Sequence, residues 1–386
     1  MAVEDAPESA ELFVCGRLCL LGEHSDWAGG FRSEDASIPV GKCLVVGTSD
    51  CGLHARVRLS PESPNTLTMT SVDDHGERRT RAFALDDPSA LLREAQEGGF
   101  WCHVAGTCHH MVTASPHAKN VAALARDAGV LLDNHRTTLP VKKGLSSSAA
   151  VCVLVARAFS RAFDLGLTVR EEMSAAYAGE RTTPSRCGRM DQACAFGPGR
   201  PVLLSFDGDA LDVEPLRRVA ADIHIVVADL EASKDTVVIL RDLQAAFTEG
   251  AGDRPDPDPV GVGLRRLLGE TNQRFVREAT EAIARGDAAA LGRTYADAQA
   301  AFDRAAGAAC PSQLSAPALR ATLADDDVRA ASLGGKGVGS QGDGSVQFVC
   351  DGEAGAEACA ETLRRKFGLR AVRIVIPATK GDDGDA

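Results

Sequence analysis

The chain has 386 residues, 44% of them hydrophobic and 25% charged, with a formal net charge of −12. That is a globular composition, with enough chain for two domains. An acidic surface repels polyphosphate backbones and anionic lipid at long range, which argues against a nucleic-acid or membrane partner.

The longest apolar runs, such as residues 149–156, are shorter than the roughly 20 residues that span a bilayer. The acidic segment 1–11 lacks the basic-then-apolar pattern of a signal peptide, so a cytoplasmic protein is expected. Twelve cysteines include no CxxC pair, and they read as reduced, mostly buried thiols. The group Cys102, His103, Cys108, His109 and His110 raises the question of zinc. Its spacing matches no standard structural pattern, and on a helix these side chains would point in several directions.

In chain order, residues 12–21 alternate apolar with small or polar residues and predict a strand running into Gly22. Residues 42–47 and 53–59 predict two further strands. Residues 60–74 and 86–89 are turn-rich. Helices are predicted over 90–97, 100–114 and 121–129, and a strand over 137–141. The clearest helix is 148–165, with serines at its start, a body apolar nearly all round until Arg157, and Gly166 beyond. A second helix covers 169–180. Past Asp207, strands are predicted at 222–229, 346–350 and 372–376, and helices at 235–249, 264–286, 288–306 and 354–367. Residues 250–263 read as a Pro/Asp/Gly loop. The second half thus reads strand, helices, strand, helix, strand, which fits an α+β sandwich with helices on one sheet face. The acidic tail 382–386 is expected to fray. No internal repeat is evident.

Four segments carry chemistry. In residues 16–30, GRLCLLGEHSDWAGG, a strand delivers Glu23, His24 and Asp26 to one turn. Such a loop can read the hydroxyls of a polyol, and it can equally be a solvated polar turn. In residues 140–150, PVKKGLSSSAA, a glycine and three serines precede a helix. Backbone N–H groups at such a start attract phosphate, small residues allow close approach, and a serine hydroxyl can ligate Mg²⁺. Serine capping explains one serine and not three, and the GxxxxGK[ST] pattern is absent. Lys142 and Lys143 could attract phosphate or simply be solvated. Residues 334–344, GGKGVGSQGDG, contain GxGxxG, yet a strand follows where a dinucleotide fold needs a helix. A glycine loop that closes over phosphates or shapes a substrate pocket fits better. In residues 180–197, ERTTPSRCGRMDQACAFG, Asp191 lies in a turn-like setting. An Asp beside a phosphate loop, a Glu able to hold Mg²⁺ and an Arg forms a phosphoryl-transfer constellation.

Together these segments resemble the GHMP kinases, whose motifs they match in order and at both ends of the chain. Within that superfamily the galactokinase branch is the nearest likeness. GRLCLLGEHSDWAGG is similar to its GRxNxIGEHTDYxGG, CGRMDQ to its CGxMDQ, and WCHVAGT at 101–107 to its Trp, Tyr-Val, Gly segment. Cys19, Ser25 and Trp27 depart from the pattern, and so does Ser340-Gln341-Gly342-Asp343 in the C-terminal motif.

The resemblance implies an α+β, two-domain GHMP kinase architecture. Residues 1–215 would form an N-terminal domain like ribosomal protein S5 domain 2, and 216–386 a ferredoxin-like C-terminal domain. It implies ATP and Mg²⁺, with Asp191 as base, Arg17 as its charged neighbour, and Glu23, His24 and Asp26 as sugar ligands. Gly144, Leu145, Ser146, Ser147, Ser148 and Ala149 would form the ATP loop, and Ser148 and Glu180 would hold Mg²⁺. The expected reaction is transfer of the ATP γ-phosphoryl group to a free sugar, by a monomer or homodimer. Two alternatives stand beside it: a kinase for a non-sugar alcohol such as mevalonate or homoserine, and an inactive sugar-binding regulator. Asp26 speaks against the first, and the intact set Arg17, Ser148, Glu180 and Asp191 against the second.

Overall fold

The computed structural model describes residues 9–72, 76–140, 144–185, 187–251 and 258–379. Lys142, Lys143, the acidic tail and residues 252–257 of the loop expected at 250–263 lie outside the described residues. The chain divides into two compact units, each discontinuous: Met1–Arg17 with Asp50–Pro198, and Leu18–Ser49 with Gly199–Ala386. Strands β1 (Ala10–Leu21) and β2 (Gly41–Ser60) each run from one unit into the other. The division expected above is linear, at residue 215.

In the first unit, the second half of β2 pairs antiparallel with β5 (Gly129–Thr137). β3 (Thr66–Val72) runs parallel to β5, and β4 (Arg78–Ala84) pairs antiparallel with β3 at the sheet edge. Leu67, Met69 and Ser71 of β3 are buried and the threonines between them are half-buried. This period of two belongs to a half-buried strand. The threonines that read as turn residues are its outer face, so the turn-rich expectation for 60–74 fails over 66–72.

The two strands expected at 42–47 and 53–59 are a single one. Gly52 does not turn the chain; a Cβ there would strike the Phe13 ring. The helix expected at 121–129 ends earlier, as Ala118–Leu124, and β5 occupies 129–137 in place of the strand expected at 137–141. Gly129 starts β5 because a side chain there would collide with the carbonyls of Ser63 and Thr66.

The helix Ser147–Ala162 fills the core of this unit, with Cys152, Val153, Leu154, Val155 and Phe159 wholly buried. Its Arg157 is bound on every side. The guanidinium donates to Glu172 at 3.0 and 2.7 Å, to the Phe13 carbonyl at 3.0 Å and to the Ala195 carbonyl at 2.9 Å. Helix Val169–Glu180, which carries Glu172, opens with a capping box between Thr168 and Glu171.

In the second unit, the first part of β2 pairs with β6 (Pro201–Asp207), and β6 with β7 (Ala210–Pro215). A separate antiparallel sheet has the order β11-β8-β10-β9, formed by β8 (Ile223–Asp229), β9 (Gly334–Gly337), β10 (Ser345–Cys350) and β11 (Ala371–Ile376). Numbered from its own first strand the order is 4-1-3-2, with helices in both crossovers, which is the ferredoxin-like arrangement expected for this half. Val226, Ala228, Val346 and Phe348 from the sheet pack against Cys359 and Leu363 of helix Gly352–Phe367. The helix expected at 264–286 starts earlier, at Pro259, where Asp258 accepts from the Gly261 N–H at 2.9 Å. It is interrupted over Leu267–Thr271, where Gly269 lies against the Pro39 ring. Among the described residues no helix is long and apolar enough to cross a membrane.

Arg157→Leu should lower stability by about 2–4 kcal/mol, because it strands the Glu172 carboxylate in a mostly apolar setting. Urea unfolding followed by far-UV circular dichroism measures this. Glu172→Gln, which keeps hydrogen-bonding capacity, should cost clearly less.

Candidate active site

Arg17 stands on β1 and is 5% exposed. Its backbone N–H donates to the Leu145 carbonyl at 2.9 Å, and its guanidinium forms an ion pair with Asp191. One residue therefore fixes the glycine-serine loop through its backbone and the candidate base through its side chain. Asp191 opens the 3-10 turn Asp191–Phe196 and keeps part of its surface in solvent.

The loop itself is set by two left-handed residues, Gly144 at φ 77° and Ser146 at φ 59°. Ser146 occupies the N-cap of helix Ser147–Ala162, yet its side chain makes no capping hydrogen bond. Serine capping therefore does not explain this sequence. The first-turn N–H groups have no carbonyl of their own helix to bind, and the helix dipole adds partial positive charge there. Ser146, Ser147 and Ser148 are half-buried, whereas Leu145 and Ala149 are buried. The arrangement suits a phosphate group.

Glu180 is fully buried. It accepts from Gln192 Nε2 at 2.9 Å and from Ser185 Oγ at 3.4 Å. His103 Nε2 lies 3.9 Å away, and burial depresses the pKa of that imidazole. Among the described residues the hydrogen-bond donors on Glu180 are neutral, so a cation would compensate its charge. Hard oxygen donors of this kind suit Mg²⁺. No group of three His, Cys, Asp or Glu side chains among the described residues is placed to hold a metal. The Cys102/His103/Cys108/His109/His110 group accordingly disperses along helix Cys102–Thr113: Cys108 enters the core and His103 turns to Glu180.

In the second unit, Gly22 at φ 86° and His24 at φ 68° bend the chain sharply after β1 into the short helix Ser25–Gly30. Glu23 and His24 are 7% and 3% exposed, which excludes a solvated turn, while Asp26 is half-buried. Glu23 forms a buried ion pair with Lys336, whose Nζ also donates to the Gly337 carbonyl at 2.9 Å. Trp27 Nε1 donates to His24 Nδ1 at 3.0 Å, and burial lowers the His24 pKa to about 4, with help from Lys234 and Lys336.

The 334–344 segment is only partly loop, since 334–337 form β9. The remainder is tied down by Lys234, whose Nζ donates to the carbonyls of Val338 and Gln341 at 3.4 and 3.0 Å. The sequence reading missed both lysines. Lys336 had a visible signal, being a charged residue inside a run of glycines.

The profile of the GHMP kinases N terminal domain matches residues 116–198. A galactokinase of Actinobacillus pleuropneumoniae is 23% identical over 279 residues, covering 72% of this chain and 63% of that protein. The match thus spans less than two thirds of that relative's length. The solved Lactococcus lactis galactokinase complexed with galactose has a TM-score of 0.65 at 17% identity, covering 98% of this chain and 96% of its own. The L. major mevalonate kinase in complex with R-mevalonate also scores 0.65, at 16% identity, covering 98% and 99%. Motifs, fold and matches agree: residues 116–198 match the GHMP kinases N terminal domain, and the chain is similar to galactokinases in sequence and to galactokinase and mevalonate kinase in fold.

Proposed function

We propose that this protein is an ATP-dependent kinase that transfers the γ-phosphoryl group of ATP to a hydroxyl of a small polyhydroxylated acceptor, with free sugars as the first class to try. The observation that carries this reading is Arg17, which holds both Asp191 and the loop at Gly144–Ala149. In this reading residues 1–215 and 216–386 correspond to the family's N-terminal and C-terminal domains. Similarity to galactokinases supports a sugar 1-phosphate as product.

The backbone N–H groups at the start of helix Ser147–Ala162 would receive the ATP phosphates, with Gly144 and Ala149 small enough for close approach. Asp191 would orient the acceptor hydroxyl and take its proton. An ionised Asp is a weak base, so the paired Arg17 serves mainly to keep the carboxylate charged and aimed, and to oppose charge developing on the transferring group. Ser148 and Glu180 would hold Mg²⁺, which when bound neutralises phosphate charge. Gln192 keeps the Glu180 carboxylate oriented. Most of the rate gain then comes from positioning and electrostatics. Glu23, His24 and Asp26 would recognise the acceptor, with Glu23 presented as half of an ion pair.

A non-sugar hydroxy acid is the second reading, supported by the equal fold similarity to a mevalonate-bound kinase and by the lysine that neutralises Glu23. ADP release from ATP and Mg²⁺ with a panel of aldoses, uronic acids, mevalonate and homoserine separates these readings. No acceptor-dependent release would favour a regulator without activity.

Asp191→Asn should lower kcat by roughly 10²- to 10⁴-fold, with the ATP KM near that of the parent. Activity within a few-fold of the parent removes Asp191 as the base.

Glu180→Gln should shift the Mg²⁺ dependence of activity to higher concentration by about tenfold or more, with partial recovery at high Mg²⁺. Superimposable Mg²⁺ titrations of variant and parent would exclude Glu180 from holding the ion.

A further inference from the structure

The second unit gathers two lysines and a histidine around Glu23. Lys336 is 2% exposed and committed to Glu23 and the Gly337 carbonyl. Lys234 is differently placed. An ammonium group has three N–H donors, and two of them hold the Val338 and Gln341 carbonyls. Among the described residues the carboxylate acting on it electrostatically is Glu23, already engaged by Lys336. Burial brings the Lys234 pKa down to about 8, yet the residue remains half-buried and open to solvent in part. The Lys234 side chain lies against Gly344, where a Cβ would strike it. Its head group is thus held in place by the glycine segment.

His24 supplies the second observation. Trp27 donates to Nδ1, which fixes the proton of the neutral ring on Nε2. Among the described residues that buried nitrogen makes no well-formed hydrogen bond, with the Ser340 carbonyl as its near neighbour. The ring is held at Nδ1 by Trp27 and lies nearly parallel to Phe302, with ring centroids 5.8 Å apart. A buried N–H left unsatisfied is unfavourable, and so is a largely buried ammonium whose nearest carboxylate is already shared with a second lysine. One ligand group answers both. It must accept hydrogen bonds and carry negative charge. A neutral hydroxyl satisfies only the first requirement.

We infer that the acceptor carries an anionic group, a carboxylate or a phosphate, received by Lys234 together with the Nε2–H of His24. This rests on the kinase reading and names the acceptor class within it: polyols or hydroxy acids with one charged end. The Lys336–Glu23 pair contributes no net charge, so Lys234 sets the sign of this cluster.

The test uses the full chain with ATP, Mg²⁺ and matched acceptors: D-galactose, D-galacturonate and D-galactose 6-phosphate, with D-glucose and D-glucuronate as a second pair and R-mevalonate as a non-sugar acid. In the parent, kcat/KM for at least one anionic acceptor should exceed that of its neutral counterpart. The galacturonate and 6-phosphate arms identify which anion is read. Lys234→Met should shrink the anionic-to-neutral ratio by roughly 10- to 100-fold, mainly through KM. Lys234→Arg should retain most of it. If Lys234→Met does not fold, Lys234→Gln keeps a hydrogen-bond donor without the charge and carries the same ratio test. A parent that prefers neutral sugars, or a ratio unchanged in Lys234→Met, overturns the inference and leaves the kinase reading standing. Failure of every acceptor to drive ADP release overturns both.

Discussion

The candidate catalytic half depends on one buried cation. A guanidinium that is 5% exposed must be paired, and the partner of Arg17 is Asp191. The consequence runs along the chain. Fixing Asp191 fixes the 3-10 turn that it opens; the next residue, Gln192, then meets Glu180, and the Arg17 backbone meanwhile braces Leu145. Arg157 repeats the device from the central helix, reaching Phe13 on β1, Glu172 on the neighbouring helix and Ala195 in the same 3-10 turn. Two arginines therefore tie together the pieces that, in the function proposed above, would supply a base, a phosphate loop and a cation ligand. Rigidity of this kind matters for phosphoryl transfer, where placement supplies most of the acceleration.

The second unit solves a different electrostatic problem. The turn after β1 buries Glu23 almost completely, and its charge is met by Lys336 from β9, 313 residues further along the chain. A buried pair of this kind adds little net stability compared with an apolar pair, but it does not tolerate loss of one partner. It therefore acts chiefly as a registration pin between β9 and the turn after β1. The left-handed residues Gly22 and His24 make that turn tight enough for the carboxylate to reach.

What was legible in the sequence follows from distance along the chain. The segments 16–30, 140–150 and 180–197 each hold their polar groups within a few residues, so local reading finds them. The long helices Ser147–Ala162 and Ala288–Ala306 announce themselves by composition, the second also by Asp287 at its N-cap. β3 escaped because its outward threonines resemble turn residues, and β9 because four residues of Gly and Lys carry no strand pattern. The helix start at Pro259 was hidden in a loop-like run, although Asp258 before a proline is itself a start signal. Glu23 with Lys336, and Lys234 with its two carbonyls, are pairings that only the fold creates. No local pattern encodes them.

One peripheral feature has a bearing on how the protein survives at high concentration. β4 closes one side of its sheet, and its residues Arg78, Arg79 and Arg81 are exposed. Open strand edges are templates for pairing with foreign chains. The guanidinium groups of this edge are each matched to a carboxylate, Arg78 to Asp133, Arg79 to Glu77 and Arg81 to Glu94. A foreign strand that paired here would have to displace a charged, hydrated rim, and the edge is thereby a poor starting point for self-association.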